Sequence, residues 1–383
     1  DVPIGVGGWV NIAGDGGTRK RINLTRVHLE EDVAKLWHGE GHSLVDVNRA
    51  GVPLMEMVSE PEIGSPEEAR DYLVKLRNIV RYLGASTGNM EEGSFRCDAN
   101  ISVRPRGRKE LSPKSELKNL NSFKAVYQAL QYEAQRQAEV LEEGGNLVQE
   151  TRGWLGDTGR TVVQRSKEDA DDYRYFPEPD LPPLMLDEKW LDDIRSHLPE
   201  LPEARRDRFM NQFGLSLYDA NVLTGSKPLA DYFDECLKLT DRNKAKELSN
   251  WILGDFSRLL NLDGIDIADA RVRPQHLLGL LALLDNGVIG GPAAKVVLEE
   301  MFRSGQEARD IVEQKKLSQL SDEAQLLDVV TRVITNNARA VADYKAGKQQ
   351  ALKFMTGQVM KATRGRANPA VVQEILAREM EGE

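Results

Sequence analysis

The sequence is poor in cysteine. Its 383 residues include two, Cys97 and Cys236, far apart and neither in a CxxC pair. That excludes a disulfide framework and a cysteine-built zinc site, and it points to a reducing cytoplasm. The five histidines form no HExxH zinc helix. No run of about 18 apolar residues occurs, so no transmembrane helix and no membrane partner are expected. A GxxxxGK phosphate loop and a GxGxxG turn after a strand are both missing. So are short-period repeats, low-complexity tracts and a signal-peptide pattern. Net charge is −10, which argues against a protein that coats nucleic acid indiscriminately.

What is present suits a globular chain. Hydrophobic residues make up 40% and charged residues 29%. The length fits about two to four domains. The chain starts at Asp1, without Met, and runs straight into VPIGVGGWVNI as if from the middle of a domain. An incomplete chain is therefore expected.

Strands, turns and a few helices mix up to about residue 190. In the stretch GGTRKRINLTRVHLEED, Ile22 and Leu24 share one parity and Val27 and Leu29 the other. The slip near Thr25–Arg26 implies a bulge, or a strand buried on both faces. A helix should start after Ser65, with Pro66 at its first position and Glu68 closing a capping box. Ala69, Leu73, Leu76, Val80 and Leu83 form its apolar stripe, and Gly84 ends it. A second helix should follow Ser122 and close at Gly144–Gly145, and GRTVVQRS reads as a short strand. The proline-rich YFPEPDLPPLML is a stiff extended segment, either linker or wall. From about residue 199 helical patterns dominate. Together these give an α+β domain, a helical domain and a small helical tail.

The stretch MEEGSFRCDANISVR raises the chemical question. Read with period two as a strand over 92–104, it places Phe95, Cys97, Ala99, Ile101 and Val103 on one side. Glu92, Arg96, Asp98 and Asn100 fall on the other, same-face neighbours about 6–7 Å apart. Such a set suits Mg²⁺ and phosphate oxygens, because Mg²⁺ takes hard oxygen ligands and Arg offers a planar fork. A solvated sheet face with cross-strand ion pairs has the same pattern.

Three further stretches are ambiguous in the same way. HLEED, residues 28–32, is a carboxylate cluster at a strand end or a solvated turn. PKSELKNLNSF holds Glu116, Lys118 and Asn119, as turn and cap residues or as partners of an anionic ligand. DADDYRYFPEPD places Tyr173, Arg174 and Tyr175 beside rigid prolines, as a stacking clamp or an ordinary domain edge. The tail carries an electrostatic signal. Between Arg332 and Arg366 lie eight basic residues and one acid, Asp343, a balance of +7. A solvated helix face normally mixes signs, so this patch suits a phosphate backbone.

These motifs, with SLVDVNRAGVPLMEMVSEPEI, QETRGW and ADYKAGKQQALKFMTGQVMKATRGRANP, resemble the B subunits of aspartyl/glutamyl-tRNA amidotransferases over essentially the whole chain. The resemblance implies an antiparallel-sheet cradle similar to glutamine synthetase, then an all-α domain and a small helical tail. It implies domains at 1–195, 196–315 and 316–383, the last binding tRNA. The implied partners are the family's glutaminase A subunit and small C subunit, in a heterotrimer, and misacylated tRNA. The implied reaction uses ATP and Mg²⁺ to phosphorylate the side-chain carboxylate of Glu-tRNA(Gln) or Asp-tRNA(Asn), which ammonia from glutamine then amidates.

Carried over by motif, Glu30, Glu31, Arg96, Asn100 and Lys118 would be catalytic. Glu31, Glu92 and Asp98 would hold metal. Glu116, Asn119, Tyr173, Arg174 and Tyr175 would line the nucleotide cradle. Lys345, Lys348, Lys353, Lys361, Arg364 and Arg366 would contact tRNA. Two blocks depart from the family pattern: Val33-Ala34-Lys35 stands where Ala-Gly-Lys is usual, and Asp171 where His is frequent. The family's N-terminal segment, with a GLEVH-type motif that helps complete the metal site, is expected to be lacking. Two alternatives remain: a non-catalytic tRNA-binding module with an inert truncated cradle, and a free-standing carboxylate–amine ligase.

Overall fold

The computed structural model describes residues 2–14, 18–108, 110–166, 180, 182–318, 323–363 and 365–382. They form two compact units, 1–201 and 202–383. The first is built on largely antiparallel sheets; the second is helical and ends in a small helical segment with its own core.

In the first unit, β1 (Trp9–Ala13), β2 (Arg19–Glu31) and β5 (Pro53–Ser59) make a three-stranded antiparallel sheet. The register of β2 shifts between Leu24 and Arg26, where the apolar parity slips in sequence. An exposed hairpin, β3 (Lys35–Gly39) and β4 (His42–Asp46), sits between β2 and β5 in the chain.

Helix α1 spans Pro66–Tyr82. Ser65 caps it, its Oγ accepting from Glu68 N at 3.2 Å. The Glu68 carboxylate departs from a standard capping box. Its Oε2 takes the Gly64 N–H at 2.7 Å and the Lys20 ammonium at 2.6 Å, so it ties the helix start to β2. Of the expected stripe, Ala69, Leu73, Leu76 and Val80 are buried. Leu83 is exposed because it lies past the last turn, where Gly84 reverses the chain at φ 69.

A second, four-stranded sheet runs β6 (Ala99–Ile101), β7 (Ser115–Lys118), β8 (Glu150–Leu155) and β9 (Arg160–Ser166). Its β7–β8 pair is parallel, and α2 (Phe123–Glu142) makes the crossover between them. Helix α1 packs on β1 and α2, and α2 on β6 and β9. Ile12, Ile22, Leu117, Val126, Ala129 and Trp154 meet in the resulting core. Each large apolar side chain buried there contributes about 1.5–3 kcal/mol.

The expected strand over 92–104 is much shorter than its alternation suggests. Only Ala99–Ile101 pairs as strand. Residues 90–94 instead form a turn, in which the Asn89 carbonyl accepts from Ser94 N at 2.9 Å and Phe95 N at 3.2 Å. Gly93 takes φ 71, which a side chain would disfavour. The parity survives in part: Phe95 is buried and Arg96, Asp98 and Asn100 are more open.

After α3 (Glu188–His197), the second unit begins with α4 (Pro202–Phe213), α5 (Leu217–Thr224), α6 (Lys227–Lys238), α7 (Ala245–Trp251), α8 (Ser257–Asp263), α9 (Pro274–Asp285), α10 (Gly291–Ser304) and α11 (Ala308–Gln314). Phe209, Phe233 and Phe256 are fully buried there. Four tail helices, α12 (Glu323–Asn336), α13 (Ala338–Lys345), α14 (Gln350–Ala362) and α15 (Pro369–Glu381), enclose a separate core around Leu326, Met355, Val359 and Leu376.

Candidate active site

Two polar constellations meet on the segment 96–98. The first centres on Asp32, which follows β2 and is 5% exposed. Its Oδ2 accepts from Arg49 Nε at 2.7 Å and from Arg96 Nη2. Burial raises the Asp32 pKa, but the two guanidinium hydrogen bonds outweigh it and hold the carboxyl below its usual range. Arg49 also reaches the Glu92 carbonyl at 3.5 Å, and Arg96 the Gly93 carbonyl at 3.4 Å. One carboxylate thus fastens the end of β2, the loop before β5 and the turn at 90–94.

The second constellation lies on the polar face of the four-stranded sheet. Lys118 Nζ lies 3.1 Å from Asp98 Oδ2 and 3.5 Å from Glu116 Oε1. Burial lowers the Lys118 pKa, but Asp98 and Glu116 outweigh it and keep the ammonium charged. Asn100 stands opposite Glu116 in the β6–β7 ladder, and Glu116 Oε2 accepts from Thr151 Oγ1 at 2.9 Å. Ser115 and Leu117, of the other parity, are buried.

Asn119 follows β7 at φ 63 and donates its amide to the Trp154 carbonyl at 2.9 Å. Cys97 lies between the two constellations in sequence. Burial, with help from Asp98, pushes its thiol up to about 12, so it stays protonated and is no nucleophile.

Glu30 and Glu31 occupy successive positions of β2 and so point to opposite faces. Glu30 shares a face with His28; Glu31 shares the other with Leu29. His28 stands opposite Glu56 of β5, and its Nε2 is buried with no hydrogen-bond partner among the described residues. Among the described residues no three His, Cys, Asp or Glu side chains gather as a metal-holding group. The structure therefore does not bring Glu31, Glu92 and Asp98 into one cage. Their carboxylate chemistry fits the open arrangement in which Mg²⁺ takes one or two protein carboxylates and completes its shell with substrate phosphates and water.

In the tail, Lys345, Lys353 and Lys361 are exposed. Lys348 pairs with Asp343 at 2.8 Å, and half-buried Arg366 donates to the Thr363 carbonyl at 3.4 Å. A crevice of about 710 Å³ is lined by Arg339, Asp343, Lys348, Gln350 and half-exposed Phe354. Tyr173, Arg174, Tyr175 and Arg364 lie outside the described residues. No helix among the described residues is long and apolar enough to cross a membrane.

Sequence reasoning held Asp32 only as one of the three acids of HLEED, and it missed Arg49. Nothing local separates Asp32 from the two acids before it. Burial does, and burial depends on loops 17 and 64 residues away.

Comparison with known proteins places these features in a family. A family model described as the GatB/GatE catalytic domain matches residues 1–192, and one described as the GatB domain matches residues 231–380. The first match corrects the expectation for this region: residues 1–192 match the family's catalytic domain, and the chain spans about 80% of the relatives' length. The B subunit of the aspartyl/glutamyl-tRNA(Asn/Gln) amidotransferase of Dehalococcoides mccartyi strain CBDB1 is 51% identical over 394 residues, covering 100% of this chain and 80% of the relative. Its counterpart in Carboxydothermus hydrogenoformans is 52% identical over 381 residues, covering 98% and 79%. That of Caldicellulosiruptor saccharolyticus is 48% identical over 386 residues, covering 100% and 80%.

Proposed function

Because the chain belongs to the family of aspartyl/glutamyl-tRNA(Asn/Gln) amidotransferase B subunits, we propose that it activates the side-chain carboxylate of a misacylated tRNA with ATP. The observation that carries this reading is the open polar face, where Asp98, Asn100, Glu116 and Lys118 stand together, with Arg96 two residues before Asp98 in the chain.

The chemistry needs such a face. A carboxylate resists attack by ammonia because oxide is a poor leaving group. In the first step a carboxylate oxygen of the tRNA-bound Glu or Asp bonds to the γ-phosphorus of ATP. The bond from that phosphorus to the β–γ bridging oxygen breaks, and ADP leaves. In the second step ammonia attacks the carbonyl carbon and loses a proton. The carbon–oxygen bond breaks, and inorganic phosphate departs with that oxygen.

Phosphoryl transfer of this kind rests on positioning and charge, not on a protein nucleophile. Lys118 and Arg96 place fixed positive charge beside the transferred group. Asn100 and Asn119 orient polar atoms of the substrate, with Glu116 holding Lys118 in place. Glu31, Glu92 and Asp98 would hold Mg²⁺, one or two at a time, and the ion would supply charge neutralisation at the phosphates. Glu30 would serve as a polar wall residue, and Tyr173, Arg174 and Tyr175 would line the nucleotide.

The domains at 1–195, 196–315 and 316–383 would divide the work into chemistry, connection and tRNA contact. Lys345, Lys348, Lys353, Lys361, Arg364 and Arg366 would follow the tRNA backbone. The glutaminase A subunit would supply ammonia, and the small C subunit would complete the heterotrimer in the cytoplasm. The test is reconstitution with those partners. ADP release should require Glu-tRNA(Gln) or Asp-tRNA(Asn). ADP release at the same rate without any aminoacyl-tRNA would overturn the proposal.

A further inference from the structure

The Asp32 constellation carries more positive charge than its geometry needs. One buried carboxylate would be neutralised by one guanidinium, yet two share the same oxygen. The group therefore carries a net charge of about +1, with two cations held close together at a cost in mutual repulsion. Arg49 and Arg96 are 44% and 50% exposed, so each keeps an open side.

A guanidinium has five N–H donors. Arg49 commits Nε to Asp32 and one Nη1 hydrogen to the Glu92 carbonyl. Arg96 commits Nη2 to Asp32 and Nε to the Gly93 carbonyl. The Arg49 Nη2 and Arg96 Nη1 groups make no protein hydrogen bond among the described residues. Neither Arg pairs with a second carboxylate there, although Glu31 and Glu92 are close in the chain. A staple joining three loops would be complete with one Arg. A second guanidinium, held at the same carboxylate oxygen with donors to spare, suits a tetrahedral oxyanion such as a phosphoryl group.

We infer that Arg49 is a second phosphoryl-contacting residue, and that Asp32 is a positioning residue that fixes Arg49 and Arg96 as a pair. This inference rests on the function proposed above. It adds two residues to the site, and it assigns their ligand as the phosphoryl group in flight between ATP and the carboxylate. Asp32 touches no substrate and acts through the two guanidinium groups.

The experiment uses the complete heterotrimer, ATP, glutamine and Glu-tRNA(Gln), with Asp-tRNA(Asn) in parallel. Arg49→Gln should lower kcat for amide formation about 10²-fold, the usual effect of removing one oxyanion donor. Its kcat/KM for ATP should fall by the same factor, because the contact is made in the transition state. Arg49→Lys should recover part of the loss, since Lys keeps the charge but not the fork. Asp32→Asn combined with Arg49→Gln should be no worse than about threefold below the weaker single variant. Glutamine hydrolysis by the glutaminase should be unchanged throughout.

If Arg49→Gln lowers only the thermal midpoint and leaves kcat intact, Arg49 is a brace and the inference is wrong. Additive losses in the double variant would likewise overturn the positioning role of Asp32. A wild-type complex that forms no amide from these substrates would instead overturn the proposed function, and this inference with it.

Discussion

Lys118 and Asp98 meet at 3.1 Å across the polar face of the four-stranded sheet, 20 residues apart in sequence. Both are about half exposed, 42% and 53%, so the pair adds at most about 1 kcal/mol to stability. Its arrangement answers to chemistry more than to folding. Lys118→Met and Asp98→Asn should each reduce ATP-dependent amide formation by about 10²-fold. Thermal midpoints should stay within about 2–4 °C of wild type. A large thermal shift with normal turnover would reassign the pair to structure.

Beneath the sheet lies a network of the opposite character. Glu133, fully buried on α2, accepts from Arg136, Gln137 and Thr161, and Arg152 lies 3.4 Å away. Removing one partner of a buried charge network typically costs about 3–5 kcal/mol. Glu133→Ala should therefore lower the urea midpoint of the first unit markedly without changing tRNA affinity. An unchanged midpoint would show that the network does not hold the fold together.

The same residue gives a pH dependence. Burial raises the Glu133 pKa, but hydrogen bonds from Arg136 and Gln137 outweigh it, and the folded value lies below the ordinary 4.5. Between those two values the unfolded chain binds more protons than the folded one. Stability is thus fully present above about pH 4.5 and is lost as pH falls through the folded pKa. Denaturant midpoints measured from pH 6 to pH 3 should fall more steeply for wild type than for Glu133→Gln. Equal slopes would remove Glu133 from the acid transition.

The tail should act through charge. Lys353→Ala and Lys361→Ala, both exposed on α14, should weaken tRNA binding and reduce the salt slope by roughly 0.7–0.9 per lost phosphate contact. Turnover at saturating tRNA should be unaffected. A filter-binding series with an unchanged slope would place the tRNA backbone elsewhere.

Cys97 should be chemically silent. Its thiol is pushed up to about 12 by burial, so iodoacetamide at about pH 7.5 should leave it unmodified in the folded chain. Cys97→Ala should retain amide formation within about threefold, as its apolar role permits. Rapid alkylation with loss of activity would contradict the burial.

Local features were legible in the sequence because their causes are local. Ser65 and Ser122 cap helices since each precedes an apolar stripe at helical spacing. The slip near Thr25 became the shift in β2 because period two cannot absorb an extra residue. The length of the strand near Asn100 was not legible. Its alternation runs from Glu92 to Arg104, yet Asn89 and Gly93 bend the first part into a turn. Opposite faces for Glu30 and Glu31 followed from period two once β2 reached its end. The Asp32–Arg49–Arg96 group was out of reach, because three separate chain segments make it.

The most direct measurement follows one oxygen atom. Glu-tRNA(Gln) with ¹⁸O in its side-chain carboxylate is converted by the complete complex, and the released phosphate is analysed by mass. If the carboxylate is phosphorylated by ATP, each phosphate carries one ¹⁸O from the amino acid. Amide formed with phosphate that contains no ¹⁸O would contradict the account.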